Sequence, residues 1–139
     1  QLPLFHQDYH AAGATPESYV DFRKQVESCD AFIFATPEYN RSFPAAIKNA
    51  LDVASRPYGS SKWNGKPGGV VSVPAGAIGG GGANHHLRQV LTFLNVQPVQ
   101  QPEAYIGSVM GLLDENGKVK NEDTRALLKS VVNALVAKI

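Results

Sequence analysis

The chain has 139 residues, 43% of them hydrophobic, which is the size and apolar content of one packed domain. Its 13 basic and 12 acidic side chains leave a formal charge of +1, and with no Lys/Arg block to follow a phosphate backbone, nucleic acid is excluded as a partner. No stretch approaches the roughly 20 apolar residues that span a bilayer, and no basic-then-apolar leader opens the chain, so membrane insertion is excluded as well.

The single cysteine, Cys29, cannot form an internal disulfide, which suits a reducing cytoplasm. Between Ser28 and Asp30 it is expected to be a buried small hydrophobe.

Leu2-Pro3-Leu4-Phe5 reads as the tail of a strand leading into a polar loop at 6–15. The chain opens at Gln1 without methionine, and further sequence is expected upstream. A helix is predicted over 16–28, with Thr15 as N-cap and Pro16 at the first helical position, where its missing N–H costs nothing. Tyr19, Phe22 and Val26 fall on one face of it, which should pack on a sheet.

The continuous apolar run Ala31-Phe32-Ile33-Phe34-Ala35 predicts a strand buried on both faces, as parallel strands covered by helices are. A helix over 44–56 follows, with Ile47, Ala50, Leu51 and Ala54 as its apolar stripe. A polar loop at 57–67, holding Gly59 and Gly65, is expected on the surface. A second buried strand is predicted over 69–73.

A glycine-rich turn at 76–82 precedes a helix over 84–95 with Leu87, Val90, Leu91 and Leu94 at helical spacing. Another strand is expected at 97–100 or at 105–106. Asp114-Glu115-Asn116-Gly117 is a turn signal, and 121–139 reads as a closing helix.

This alternation of helices and strands predicts an α/β fold: a doubly wound parallel sheet with helices on both faces, in a single domain over 1–139. Ligands of such sheets sit beyond the C-terminal strand ends. Two segments leave strands there, Thr36-Pro37-Glu38-Tyr39-Asn40-Arg41-Ser42 and Pro74-Ala75-Gly76-Ala77-Ile78-Gly79-Gly80.

Competing site chemistries find little support. The glycines lack both the Lys-Ser/Thr close of a phosphate loop and the Gly-x-Gly-x-x-Gly spacing of dinucleotide sites. Ser72 lacks the glycine of a nucleophile elbow. His85 and His86 point about 100° apart on a helix and do not face one metal ion.

The segment at 36–42, continued by Pro44, Lys48-Asn49-Ala50-Leu51-Asp52 and Ser55-Arg56-Pro57, resembles the flavin loop of the NAD(P)H-dependent FMN reductase family. Gly65-Lys66-Pro67, Gly76-Ala77-Ile78-Gly79-Gly80, His86-Leu87-Arg88-Gln89-Val90-Leu91 and Gln101-Pro102-Glu103 extend the likeness over most of the chain. They look closest to the branch that reduces quinones, chromate and azo compounds.

The resemblance implies a flavodoxin-like fold of strand order 2-1-3-4-5 and FMN as cofactor, with NAD(P)H as co-substrate. It implies cofactor binding by Pro37, Glu38, Tyr39, Asn40, Arg41 and Ser42 and by Pro74, Ala75, Gly76, Gly79 and Gly80. No catalytic side chain is expected, because the flavin carries the chemistry. Tyr39 would offer a flat contact and, with Arg41, shape the open ring face, while glycines let backbone approach the ring.

A homodimer or homotetramer is implied, with the Arg88 and Glu103 region as a candidate for polar subunit contacts. The family's first strand, its phosphate-binding loop and the next helix have no counterpart here. Roughly 30 or more residues carrying them are expected upstream of Gln1. Pro74 stands where relatives often have serine, and Ala45-Ala46 where a Pro-Gly pair is usual. Two other readings stay open: an electron-carrying flavodoxin, which the +1 charge disfavours, and a non-catalytic binding module on the same fold.

Overall fold

In the computed structural model, residues 2–10 and 13–139 are described. Gln1, from which upstream sequence was argued, and Ala11-Ala12 of the expected polar loop lie outside the described residues. The elements run in order α1 (Glu17–Ser28), β1 (Phe32–Thr36), α2 (Ala45–Ala54), β2 (Pro67–Ser72), α3 (Gly81–Phe93), β3 (Gln97–Pro98), β4 (Ala104–Tyr105) and α4 (Glu122–Val136).

All strand pairs are parallel. β1 lies along β2 from Phe32 opposite Gly68 to Thr36 opposite Ser72, and β3 and β4 lie along the other side of β2. Both candidate sites for the last strand are therefore used, as two short pieces against one central strand. β2 is buried at all six positions, because helices cover both of its faces. Val70 joins residues of α1, α2 and α3 in one core cluster, while Val71 joins β4 and Val131 of α4 in another.

β1 departs from the expected two-sided burial. Phe32 and Phe34 pack on the cluster formed with α1, α2 and α3, but Ile33 on the other face is 49% exposed. α4 covers β2 and β4 and stops short of β1, so Ile33 and Ala35 line an open, wholly apolar groove with Val71, Val73 and Leu128.

The loop after α2 is also less exposed than its composition suggested. Trp63 is buried, its ring edge-on to Phe22 and Phe32. Its indole N–H donates to Leu51 O at 3.0 Å, which satisfies the polar end of an otherwise apolar anchor.

At the N-terminus, 2–5 forms no strand. Its backbone groups are taken by side chains instead: Phe5 N–H donates to Asn49 Oδ1 at 2.7 Å, and Pro3 O accepts from Asn49 and Tyr19. A 3-10 turn, Gln7–His10, follows. Thr15 does not cap α1: its hydroxyl donates to Tyr9 O at 2.6 Å, and Pro16 is the N-cap residue. Cys29 is exposed rather than buried, because it lies just past the end of α1 with its thiol turned back to Gln25 O.

That end of α1 is held by a cation. The Lys66 ammonium donates to the carbonyls of Val26, Glu27 and Cys29 at 2.7, 2.7 and 2.6 Å, so each of its three protons meets a carbonyl at a helix C-terminus. The contact fixes α1 to the start of β2. Lys66→Met is expected to lower stability by about 2 kcal/mol, read as a lower urea midpoint at unchanged m.

Candidate functional site

Because β1 and β2 are parallel and in register, the loops that leave them emerge side by side. Val73 N–H continues the ladder to Thr36 O at 2.8 Å. The two predicted segments start from that rung.

The first closes at once into a tight turn. Tyr39 N–H donates to Ser42 O at 2.8 Å and Ser42 N–H to Tyr39 O at 3.0 Å, with Asn40 at φ 50° and Arg41 at φ 66° between them. Positive φ at both central residues is the demand of a type I′ turn. Asn tolerates it, whereas a long side chain such as Arg41 does so at a cost that functional loops often carry.

The turn is braced from behind by Glu38. Its carboxylate is only 11% exposed, and Oε2 accepts from Ala83 N–H at 3.0 Å in the first turn of α3. Negative charge is favoured there, where helix N–H groups lack partners. Oε1 lies 3.6 Å from Nη1 of Arg41, whose side chain is 71% exposed, so the pair contributes little. Gly82 lets α3 come this close, since a Cβ on it would sit 2.6 Å from Arg41 O. α3 starts at Gly81, ahead of the expected 84, since its first two residues are glycines that read as turn in the sequence.

The second segment is held through its carbonyls. Gly76 O accepts from Ser108 N–H, Gly79 O from the Ser72 hydroxyl at 2.6 Å, and Gly80 O from Asn84 N–H. Gly79 and Gly80 have φ of 78° and 75°. A Cβ would meet Tyr105 Cβ at 2.9 Å from Gly79, and Ser72 Cβ at 2.9 Å from Gly80. Both backbone conformation and space therefore require glycine at this pair.

The segments enclose one cleft of about 220 Å³, lined by Glu38, Arg41, Pro74, Gly76, Ala77, Ile78 and Gly80. Of the other predicted residues, Pro37, Asn40 and Ala75 belong to the flanking backbone, Tyr39 stands 63% exposed on the turn, and Gly79 faces Tyr105. Ser42 points away, its hydroxyl 3.1 Å from His86 Nδ1. It borders a larger groove of about 560 Å³ between α2 and α3, shared with Lys48, Arg56 and Phe93. Size alone would favour that groove, but it receives only Ser42 from the predicted set, whereas the smaller cleft receives residues from both strand ends. His85 and His86 have different neighbours, Tyr105 and Ser42.

Sequence reasoning missed Ala77 and Ile78 as lining residues, although both lie within the segment it singled out. It also missed Glu38 as a brace. Arg88, considered for subunit contacts, is engaged within the chain, with Nε on Asn84 Oδ1 at 2.7 Å and Nη1 on Val99 O at 2.8 Å.

A parallel sheet with helices on both faces and a cleft at its C-terminal strand ends is the architecture of a flavodoxin-like protein. The family model for NADPH-dependent FMN reductase matches residues 1–111, and the chain belongs to that family. A quinone reductase of Pseudomonas putida is 52% identical over 132 residues, covering 95% of this chain and 70% of the relative. A 2-hydroxy-1,4-benzoquinone reductase of a Burkholderia species is 43% identical over 136 residues, covering 98% and 73%. Among solved structures, FerB, a flavoenzyme NAD(P)H:(acceptor) oxidoreductase from Paracoccus denitrificans, superposes with a TM-score of 0.89 at 38% identity, covering 99% of this chain and 74% of that one. The chain is thus an oxidoreductase of a family that works with FMN and a nicotinamide electron donor.

The glycine requirement is open to test. Gly80→Ala is expected to cost about 1–3 kcal/mol, read by thermal unfolding. Gly76→Ala, where a Cβ meets open space, should stay within about 0.5 kcal/mol of the parent.

Tyr105, behind Gly79, gives a pH signature. Its hydroxyl is held above the ordinary 10.0 by burial first and by the Glu103 carboxylate second. The neutral phenol is thus favoured by folding. Its contribution is complete below pH 10 and is lost as pH rises through the raised value. Tyr105→Phe should flatten the fall in stability above pH 10, measured by urea midpoints across that range. The fall that remains comes in part from Tyr19, which is raised in the same direction.

Proposed function

We propose that the cleft between 36–42 and 74–80 holds the polar edge of the FMN isoalloxazine ring, and that the protein passes electrons from NAD(P)H to quinone-type acceptors. The observation that carries this is the convergence of two strand-end loops, one carrying an exposed tyrosine at its turn and the other lined by glycine backbone. A flat amphipathic ring needs an apolar face and hydrogen-bonding partners at its edge. The cleft is smaller than the roughly 300–1,000 Å³ of pockets that enclose a whole ligand. It therefore suits one edge of a ring whose face stays open.

FMN held there would supply hydride acceptance from the nicotinamide and two-electron transfer to the acceptor. The residues' part is to bind and orient. In this reading Pro37, Asn40 and Ser42 shape the turn, Tyr39 and Ile78 flank the ring, and the 74–80 backbone with Pro74, Ala75, Gly76, Gly79 and Gly80 meets its edge. Glu38 fixes the turn to α3, and Arg41 draws in anionic substrate or nicotinamide phosphate. No side chain in the cleft need move a proton.

Quinones stand first as acceptors because relatives carry that activity in their names and a flat quinone ring suits the same open face. Chromate and azo compounds are further acceptors of this reading. The groove between α2 and α3, beside the 84% exposed Phe93, suits contact between copies in a homodimer or homotetramer. Cys29, with no second cysteine to pair with, fits a reducing cytoplasm.

The test is the visible spectrum of the purified protein with FMN, before and after anaerobic NAD(P)H. A flavin band that bleaches and returns on adding a quinone is expected. A protein that takes up no FMN, or a band that NAD(P)H leaves intact, overturns the reading. Arg41→Ala should raise KM for NADPH about three- to fivefold, the range open to an exposed charge contact of up to about 1 kcal/mol. KM values unchanged for every substrate would remove Arg41 from this role.

A further inference from the structure

Behind the glycine loop lies a run of polar side chains in the core. Ser72 and Asn84 are both 0% exposed, and buried polar groups are tolerated only when paired. Their pairing has one direction. Arg88 carries only donors, so Asn84 must turn its oxygen to Arg88 Nε, 2.7 Å away. That leaves the Asn84 amide nitrogen to donate to Ala104 O and to Ser72 Oγ, each at 3.3 Å. The Ser72 hydroxyl proton then goes to Gly79 O at 2.6 Å, since its other acceptor, Ala104 O at 3.3 Å, is already served by Asn84. A cation thus heads a relay of donors that ends on the loop, and each bond polarises the next.

The consequence follows from the geometry of the peptide. C=O and N–H of one trans peptide point in opposite directions, so drawing Gly79 O inward turns Gly80 N–H outward. Gly80 lines the cleft, and its N–H has no hydrogen-bond partner among the described residues. Two glycines that accept either sign of φ leave this peptide free to flip. One buried hydroxyl selects the orientation.

We propose that Ser72, oriented by Asn84 and Arg88, is a positioning residue for the flavin: it pins the 79–80 peptide so that Gly80 N–H is presented to an acceptor on the ring edge. The inference rests on the function proposed above, and its test separates the two. The Ser72→Ala variant removes one hydroxyl and no packing group. Without FMN, its Gly80 amide peak in a ¹⁵N–¹H spectrum is expected to shift or split. With FMN, the Kd should rise about tenfold and the flavin absorption band should move. Val131→Ala, which opens the core on the α4 side, should lower Tm yet leave Kd and the band unchanged, as a merely destabilised protein would.

If the wild type binds FMN and Ser72→Ala binds it with the same Kd and spectrum, the inference is overturned. If the wild type takes up no FMN, the functional reading fails, and an unmoved Gly80 amide in Ser72→Ala overturns the positioning role as well. Should Ser72→Ala not fold, Arg88→Met, at the half-buried head of the relay, carries the same expectations.

Discussion

The rung that sets Thr36 opposite Ser72 at the ends of two parallel strands is the constraint on which the site depends. Parallel pairing makes both chains leave the sheet at the same edge, and its register makes them leave at the same height. A tight turn on one side and a glycine loop on the other are then neighbours without any need to reach. The sheet is held in turn by the burial of β2 between two helix layers, which leaves little freedom to slide. Lys66 and Trp63 anchor the start of β2 and the loop before it, so the far end of the strand is fixed too.

Much of this order was legible because hydrophobic periodicity and punctuation by proline and glycine report on it locally. Each of the four helices was placed, and β2 with its following loop was located to within two residues. The misses share a cause: each concerns what lies across space from a residue rather than beside it in the chain. The Ile33 position reads as core by composition, yet among the described residues its face of β1 is left half open. Trp63 sits among Ser, Lys, Asn and Gly, which read as loop, while its ring reaches back to Phe22 and Phe32. Thr15 has the chemistry of a cap but finds Tyr9 O instead.

The site was legible in the same uneven way. The two segments that line the cleft were singled out because strand ends and glycine runs are sequence features. Arg41 in a left-handed conformation was not, since nothing about arginine announces positive φ. Ser42 lies in the same segment, and its hydroxyl faces His86 rather than the cleft. One signal was available and went unused. Asn84 lies three residues before Leu87 and seven before Leu91, on the apolar stripe of α3, and a polar residue there implies a buried partner.

The division of labour in the cleft explains why so few side chains enter it. In the proposed reading the ring edge is met by peptide groups, whose directions are set by φ and by what holds the opposite end of each peptide. Side chains matter most where they stand behind the backbone: Glu38 on the first turn of α3 and Ser72 on Gly79. A substitution that points into the cleft, as at Pro74 or Ile78, changes the lining and leaves those supports in place. A substitution behind the loop leaves the lining chemically intact and lets its peptides turn. In the proposed reading, residues behind the loop thus tune recognition without touching the ligand.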